Sequence, residues 1–319
     1  MANMGSGSVL AWGKESVWGA AVVDTALYDF ASESISAEPQ KTKADSLVAS
    51  KAASAYDLMG IKVGGDGVIM LRPESAGPIF KAAMGGTDVV TVVTTQQCHT
   101  IPLAAAGAAF PSYTIFANRK QAIKKYSGMK VAVMKLAAKV GDYARVTLTW
   151  KGKDEATATI ATSTMPSLKH YKFIGATVTA GGQALDVSGI ELTIDNGMDD
   201  GLQLNTSGLY RSEPLHGERK VTIKIDMPYD ANSETIRETN LKAETLLSSV
   251  VIHLESPSII ATTYKYHMDL TLNNVAVLSA PVNVGGPGVI MCSISGEATS
   301  VGATEPMVAA IYDATAGAY

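Results

Sequence analysis

Cysteine is nearly absent: the 319 residues hold two, Cys98 and Cys292, and neither belongs to a CxxC pair. That excludes a disulfide framework and the common zinc patterns. Aromatic residues make up 6% and charged residues 18%. Lys and Arg total 26 against 30 Asp and Glu, so there is no basic excess for gripping nucleic acid or an anionic membrane. The longest apolar run, Leu103 to Phe110, is closed by Pro102 and Pro111 and is too short to span a bilayer. The first residues lack a basic stretch followed by an apolar one, so synthesis in the cytosol is expected, with any later location reached by assembly. Sparse charge also suggests that other subunits cover part of the surface.

Catalytic patterns are missing too. The five histidines, His99, His170, His216, His253 and His267, form no HExxH and no close pair. There is no GxSxG. "KVGGDG" (Lys62 to Gly67) and "NVGGPG" (Asn283 to Gly288) lack the Lys-Ser/Thr and following helix of a phosphate loop. They read as hairpin turns, as does Gly141, because glycine supplies positive φ; Gly285, Gly286 and Gly288 fall in the second of them. "DNGMDDG" (Asp195 to Gly201) lacks the spacing of a calcium loop. No catalytic residue, metal site or cofactor is expected, and an enzyme is the least favoured class.

What is present is alternation. Ala144, Val146, Leu148 and Trp150 alternate with Arg145, Thr147, Thr149 and Lys151. Ile190, Leu192 and Ile194 alternate with Glu191, Thr193 and Asp195. Residues 219–226 and 264–272 follow the same rule. Such strands belong to antiparallel sheets with one wet face. Two helices are expected, one opening at Ser75 and stopping at Gly85, the other from Ser233 to Leu247 with Asn232 or Ser233 as its cap.

One hairpin is written twice. Lys130 to Lys153 aligns without a gap on Asn274 to Glu297, with six identities: Val131-Ala132-Val133 on Val275-Ala276-Val277, Val140-Gly141 on Val284-Gly285, and Gly152 on Gly296. Thr149 falls on Ser293. Upstream of each copy comes a strand ending in proline (Pro73, Pro228) and then a helix. The order strand, proline, helix, strand, hairpin therefore occurs twice, which points to a doubled domain. Ile174 to Ile194 reads as a weaker third copy of the hairpin. Residues 1–58 are Ser-, Ala- and Lys-rich and weakly periodic. They read as an arm that orders only against a neighbour, so that deleting residues 33–58 would leave the rest folded. The expected division is 1–58 arm, 59–160 first copy and 161–319 second copy.

"WGKESVWGAAV" (Trp12 to Val22), "FASESIS" (Phe30 to Ser36), "PSYTIF" (Pro111 to Phe116), residues 126–153 and residues 173–198 resemble the tail tube, or major tail, proteins of long-tailed bacteriophages. The resemblance implies a mainly β fold: two tandem β-sandwich or barrel-like tube folds, each with a flanking α-helix. It implies a structural virion protein without an active site, assembled in the host cytoplasm. Its subunits join sheets into rings, and stacked rings enclose a channel. The partners implied are further copies of itself, the tape measure protein, tail-end proteins and genomic DNA in passage; no membrane is implied.

In that family each tube fold gives about four strands to the inner barrel. Six folds give about 24 strands, a circumference of about 115 Å and a diameter of about 37 Å, against about 20 Å for DNA. A two-fold chain would fill that ring as a trimer with pseudo-sixfold symmetry. The lining is expected to be neutral to acidic, since a basic channel would hold DNA. Candidates are Glu191, Thr193, Asp195, Thr147, Thr149, Ser293, Ser295, Asp269 and Glu297. Arg145 and Lys151 share the face of Thr147 and Thr149 and count against a uniformly acidic lining. The inner tube of a contractile injection machine and a two-domain β-sandwich surface-binding module stay open as alternatives.

Overall fold

The computed structural model describes residues 5, 7–43, 56–105, 107–161, 164–200, 208–261, 263–302 and 304–319. In chain order, β1 (Val9–Lys14), β2 (Ala26–Tyr28), β3 (Phe30–Glu33), β4 (Ser36–Lys43) and β5 (Tyr56–Met70) precede α1 (Pro73–Met84). Then come β6 (Val89–Val93), β7 (Gln96–Pro102), β8 (Tyr113–Asn118), β9 (Ile123–Lys139), β10 (Arg145–Gly152) and β11 (Asp154–Thr157). β12 (Lys172–Ala180), β13 (Gln183–Leu185), β14 (Gly189–Asp195) and β15 (Lys220–Pro228) lead to α2 (Ala231–Thr235), which continues as a π-helix over Ile236–Lys242. β16 (Leu247–Ala261), β17 (Tyr264–Ser279), β18 (Val282–Asn283), β19 (Met291–Ala298) and β20 (Met307–Asp313) complete the chain. The protein is mainly β, and every named pairing is antiparallel.

A single ladder crosses the molecule in the order β4–β5–β10–β9–β14–β15–β19–β17. A second layer is built from β2–β1–β8 and from the first half of β9, which also pairs with β11. β9 thus belongs to both layers. Between them lie Trp12 of β1 and Trp150 of β10, with ring centroids 5.6 Å apart, and Tyr113 of β8, 6.2 Å from Trp150. β17 has another partner set: β16 on one side and β20 on the other, with β20 carried on to β7 and β6.

The same order and pairings occur twice. β5 is followed by α1, and β5–β10, β10–β9, β9–β8 and β9–β11 pair. β15 is followed by α2, and β15–β19, β19–β17, β17–β16 and β17–β20 pair. Gly152 and Gly296, matched in the sequence, both permit close approach. A Cβ on Gly152 would lie 2.0 Å from Met129 Sδ, and one on Gly296 would lie 2.7 Å from Val275 Cγ1. The gap-free hairpin alignment does not extend to register. Val131 faces Trp150, but Val275 faces Ala298, because residues 284–290 make a longer connection and β17 carries a bulge at Leu278.

Four expectations need correction. Residues 1–58 are not a loose arm: β1 to β4 are built into the layers, and Leu10, Trp12, Tyr28 and Ile35 are core. β1 buries Leu10, Ala11 and Trp12 in succession, so its sequence shows no alternation. Deleting residues 33–58 would remove β4 and buried Ile35; residues 44–55 of that segment lie outside the described residues. "KVGGDG" is no turn but the middle of β5. A Cβ on Gly64 would sit 2.6 Å from Trp150 O, so glycine serves close strand approach there. The second helix is short: Asp230 caps it by accepting from Ser233 N at 2.8 Å, and Leu247 already opens β16. The third hairpin copy fails, because β14 pairs with β9 and β15 and not with β12 or β13. α1 begins at Pro73, two residues before the expected start, as suits proline in a first turn.

Candidate functional site

Residues directly opposite in adjoining antiparallel strands share a face. Met70, Arg145, Ala137, Glu191, Lys224, Ser295 and Ser279 form one such row across β5, β10, β9, β14, β15, β19 and β17. Val68, Thr147, Lys135, Thr193, Thr222, Glu297 and Ala276 form the next. Asp66, Thr149, Val133, Asp195 and Lys220 form a third, and Gly189, Asp226 and Ser293 lie on the other side of the first. Eight candidates, Glu191, Thr193, Asp195, Thr147, Thr149, Ser293, Ser295 and Glu297, therefore occupy one face of one sheet. The opposite face, with Val146, Leu148, Trp150, Leu192, Ile194, Ile223 and Ile225, is buried.

The polar face is neither acidic nor basic throughout. Lys135 Nζ lies 2.8 Å from Glu191, Lys224 lies 3.6 Å from Asp226, and Arg145 lies 3.0 Å from Asp142. Lys151 and Lys62 both reach Asp200, at 2.9 and 3.3 Å. The hydrogen bond from Lys151, with that from Lys62 behind it, holds the Asp200 carboxyl down at about 2. Paired in this way, Lys135, Lys224, Lys151 and Lys62 present little uncompensated positive charge.

Sequence reasoning missed Asp66 and Asp226. Thr149 Oγ1 donates to Asp66 Oδ1 at 2.6 Å, and Ser293 Oγ donates to Asp226 Oδ1. Thr149 and Ser293 are aligned positions of the repeated hairpin, so the same hydroxyl–carboxylate pair recurs. The Thr149–Ser293 match was the available signal; Asp66 was hidden in a segment read as a turn.

Residues 5–298 match the phage tail tube protein family. This chain belongs to that family. No curated protein matches it. A tail tube protein is a structural component of the virion tail, and the broad polar face fits a sheet that meets solvent on one side.

The ninth candidate stands apart in this tail tube protein. Asp269 faces His253 on β16 and Ala310 on β20. Between it and the β19-paired end of β17 lies Asn274, at φ +50, where the buried alternation changes phase from Leu270 and Leu272 to Val275 and Val277. The turn glycines divide similarly. Gly141, at φ +81, lies in the β9–β10 turn; of the glycines in the loop between β18 and β19, Gly286 takes positive φ, at +134, but Gly285 and Gly288 do not, contrary to the turn expectation, and all four have open space at the Cβ position.

His253 Nδ1 lies 2.6 Å from Asp269 Oδ1, and this hydrogen bond raises the imidazole pKa above its ordinary value against the effect of burial. A raised folded-state pKa stabilises fully below the unfolded value of about 6.5, and that stabilisation is lost as pH rises through the folded value. The midpoint of thermal unfolding should therefore fall between pH 6 and pH 8 more steeply in the native protein than in Asp269→Asn. Equal slopes would show that the pair contributes nothing.

Proposed function

We propose that this protein is the building block of a tail tube: three chains close a ring, rings stack, and the polar face lines a channel through which DNA passes during ejection. The observation that carries this reading is the eight adjoining strands, β4 to β17, with one buried and one polar face. Three chains supply about 24 strands, which at about 4.8 Å each give a barrel about 37 Å across before strand tilt widens it. Six chains would give a barrel about twice as wide, far larger than a duplex needs. The repeated pairings support two tube-fold copies in each chain, taken as 59–160 and 161–319, with β1 to β4 completing the first. Interleaved lysines and carboxylates suit passage, since a face without strong net charge does not hold phosphates by counterion release. Assembly in the host cytoplasm, with the tape measure and tail-end proteins as partners, belongs to the same reading.

Cryo-electron microscopy of assembled protein tests it. The expected result is stacked rings of three chains with β10, β14 and β19 at the lumen. Six chains per ring, a monomer at high concentration, or a channel with a net basic wall would reject it.

A further inference from the structure

Among the described residues, no strand pairs with the outer side of β4, nor with Leu278 to Asn283 on the side away from β19. These are the two ends of the eight-strand ladder. Within this ladder, the two halves of the chain meet where β9 pairs with β14. The repeat gives each open end its counterpart in that internal junction.

The equivalence is fixed by the hydroxyl–carboxylate pairs, Thr149–Asp66 and Ser293–Asp226. Thr149 faces Val133. Ser293 N donates to Pro281 O, in line with the Val282–Cys292 and Asn283–Met291 pairs. Val133 thus corresponds to Pro281, and Lys135 to Asn283. By the same reasoning Asp66 and Asp226 map Lys62 onto Thr222, and their partners, Glu38 and Thr193, onto each other. Thr193 faces Lys135 inside the chain.

We infer that β4 of one chain adds antiparallel to the β17–β18 edge of a second copy, with Glu38 opposite Asn283, repeating between chains the β9–β14 junction within one. This rests on the ring reading above. The backbone geometry is consistent on both sides. Ile61 N donates to Leu209 O, away from Pro39, so Ile61 and Pro39 are a non-hydrogen-bonded pair and the Pro39 carbonyl faces outward. Val282, between two residues whose polar groups face β19, turns its N–H outward to meet that carbonyl. Glu38 and Asn283 then form a non-hydrogen-bonded pair, with Cα atoms about 4.5 Å apart, within reach of a disulfide. Both side chains are exposed.

The test is oxidation of tubes built from the double variant Glu38→Cys, Asn283→Cys, followed by a non-reducing denaturing gel. The native cysteines are buried and serve as the silent background. Dimer and trimer bands, nothing larger, and only monomer from either single variant are expected. Tubes of normal width that give monomer bands alone would overturn the joint and leave the tube reading standing. Bands beyond trimer would overturn closure by three. Amide exchange on the unaltered protein covers a variant that fails to assemble: Val282 N–H should exchange at least about tenfold more slowly in tubes than in free subunits. Unchanged exchange there overturns the joint, and failure of the unaltered protein to form tubes overturns the ring reading itself.

Discussion

Replacing His99 with leucine is expected to cost about 3–5 kcal/mol of subunit stability, because two buried carboxyl groups would each lose a hydrogen-bond partner. His99 Nδ1 lies 2.9 Å from Asp88 Oδ2; Nε2 lies 3.0 Å from Thr315 O and 3.2 Å from Asp313 Oδ1. The ring is fully buried, and both carboxylates are nearly so. Tyr319 closes the cluster: its ring packs on His99 with centroids 4.4 Å apart, its N–H donates to Asp88 at 2.9 Å, and its hydroxyl donates to Asp313. Leucine would fill much of the volume and leave the carboxylates without the imidazole between them. The variant His99→Gln, which keeps a donor, should lose less. Equilibrium urea unfolding of unassembled subunits measures both. A loss under about 1 kcal/mol for leucine would mean that water replaces the imidazole without difficulty.

Truncating Trp150 to alanine should cost a similar amount, about 3–5 kcal/mol, for a different reason. Trp150 is a core residue of the polar-faced sheet, 2% exposed, and it meets Trp12 and Tyr113 of the other layer. Its loss opens a cavity between two layers that share β9 and cannot close freely around the gap. A double-mutant cycle with Trp12→Ala isolates the contact between the rings, expected at about 0.5–1.5 kcal/mol beyond area burial. Additive losses would show that the two indoles only fill space. By contrast, Trp12 stacks on Tyr28 at 3.3 Å, so Trp12→Ala also disturbs a contact on which Trp150 has no direct claim.

The strands with one wet face were legible because burial imposes period two on them. β10, β14 and β15 lie close to where alternation puts them, and eight of the nine lining candidates fall on one face of one sheet. β1 was not legible, since a strand buried on both sides has no alternation to read. That Asp269 lies apart from the other eight was not legible, because a single left-handed residue, Asn274, changes the phase of β17, and no local pattern announces that asparagine adopts positive φ there. The π-helix over Ile236–Lys242 was read as ordinary helix, because its apolar spacing differs too little from the α period over two turns. Asp66 and Asp226 emerge only when register is known, since 83 residues separate Asp66 from Thr149 and 67 separate Asp226 from Ser293.

β9 has a mechanical meaning as well. Its 17 residues run through both layers, paired with β8 and β11 at one end and with β10 and β14 at the other. Shear between the layers cannot be relieved by sliding, because it would have to break the backbone ladders of a strand that both layers own. Load applied to the polar face is carried to the other layer through covalent chain as well as through side-chain packing. A two-layer subunit built this way resists delamination.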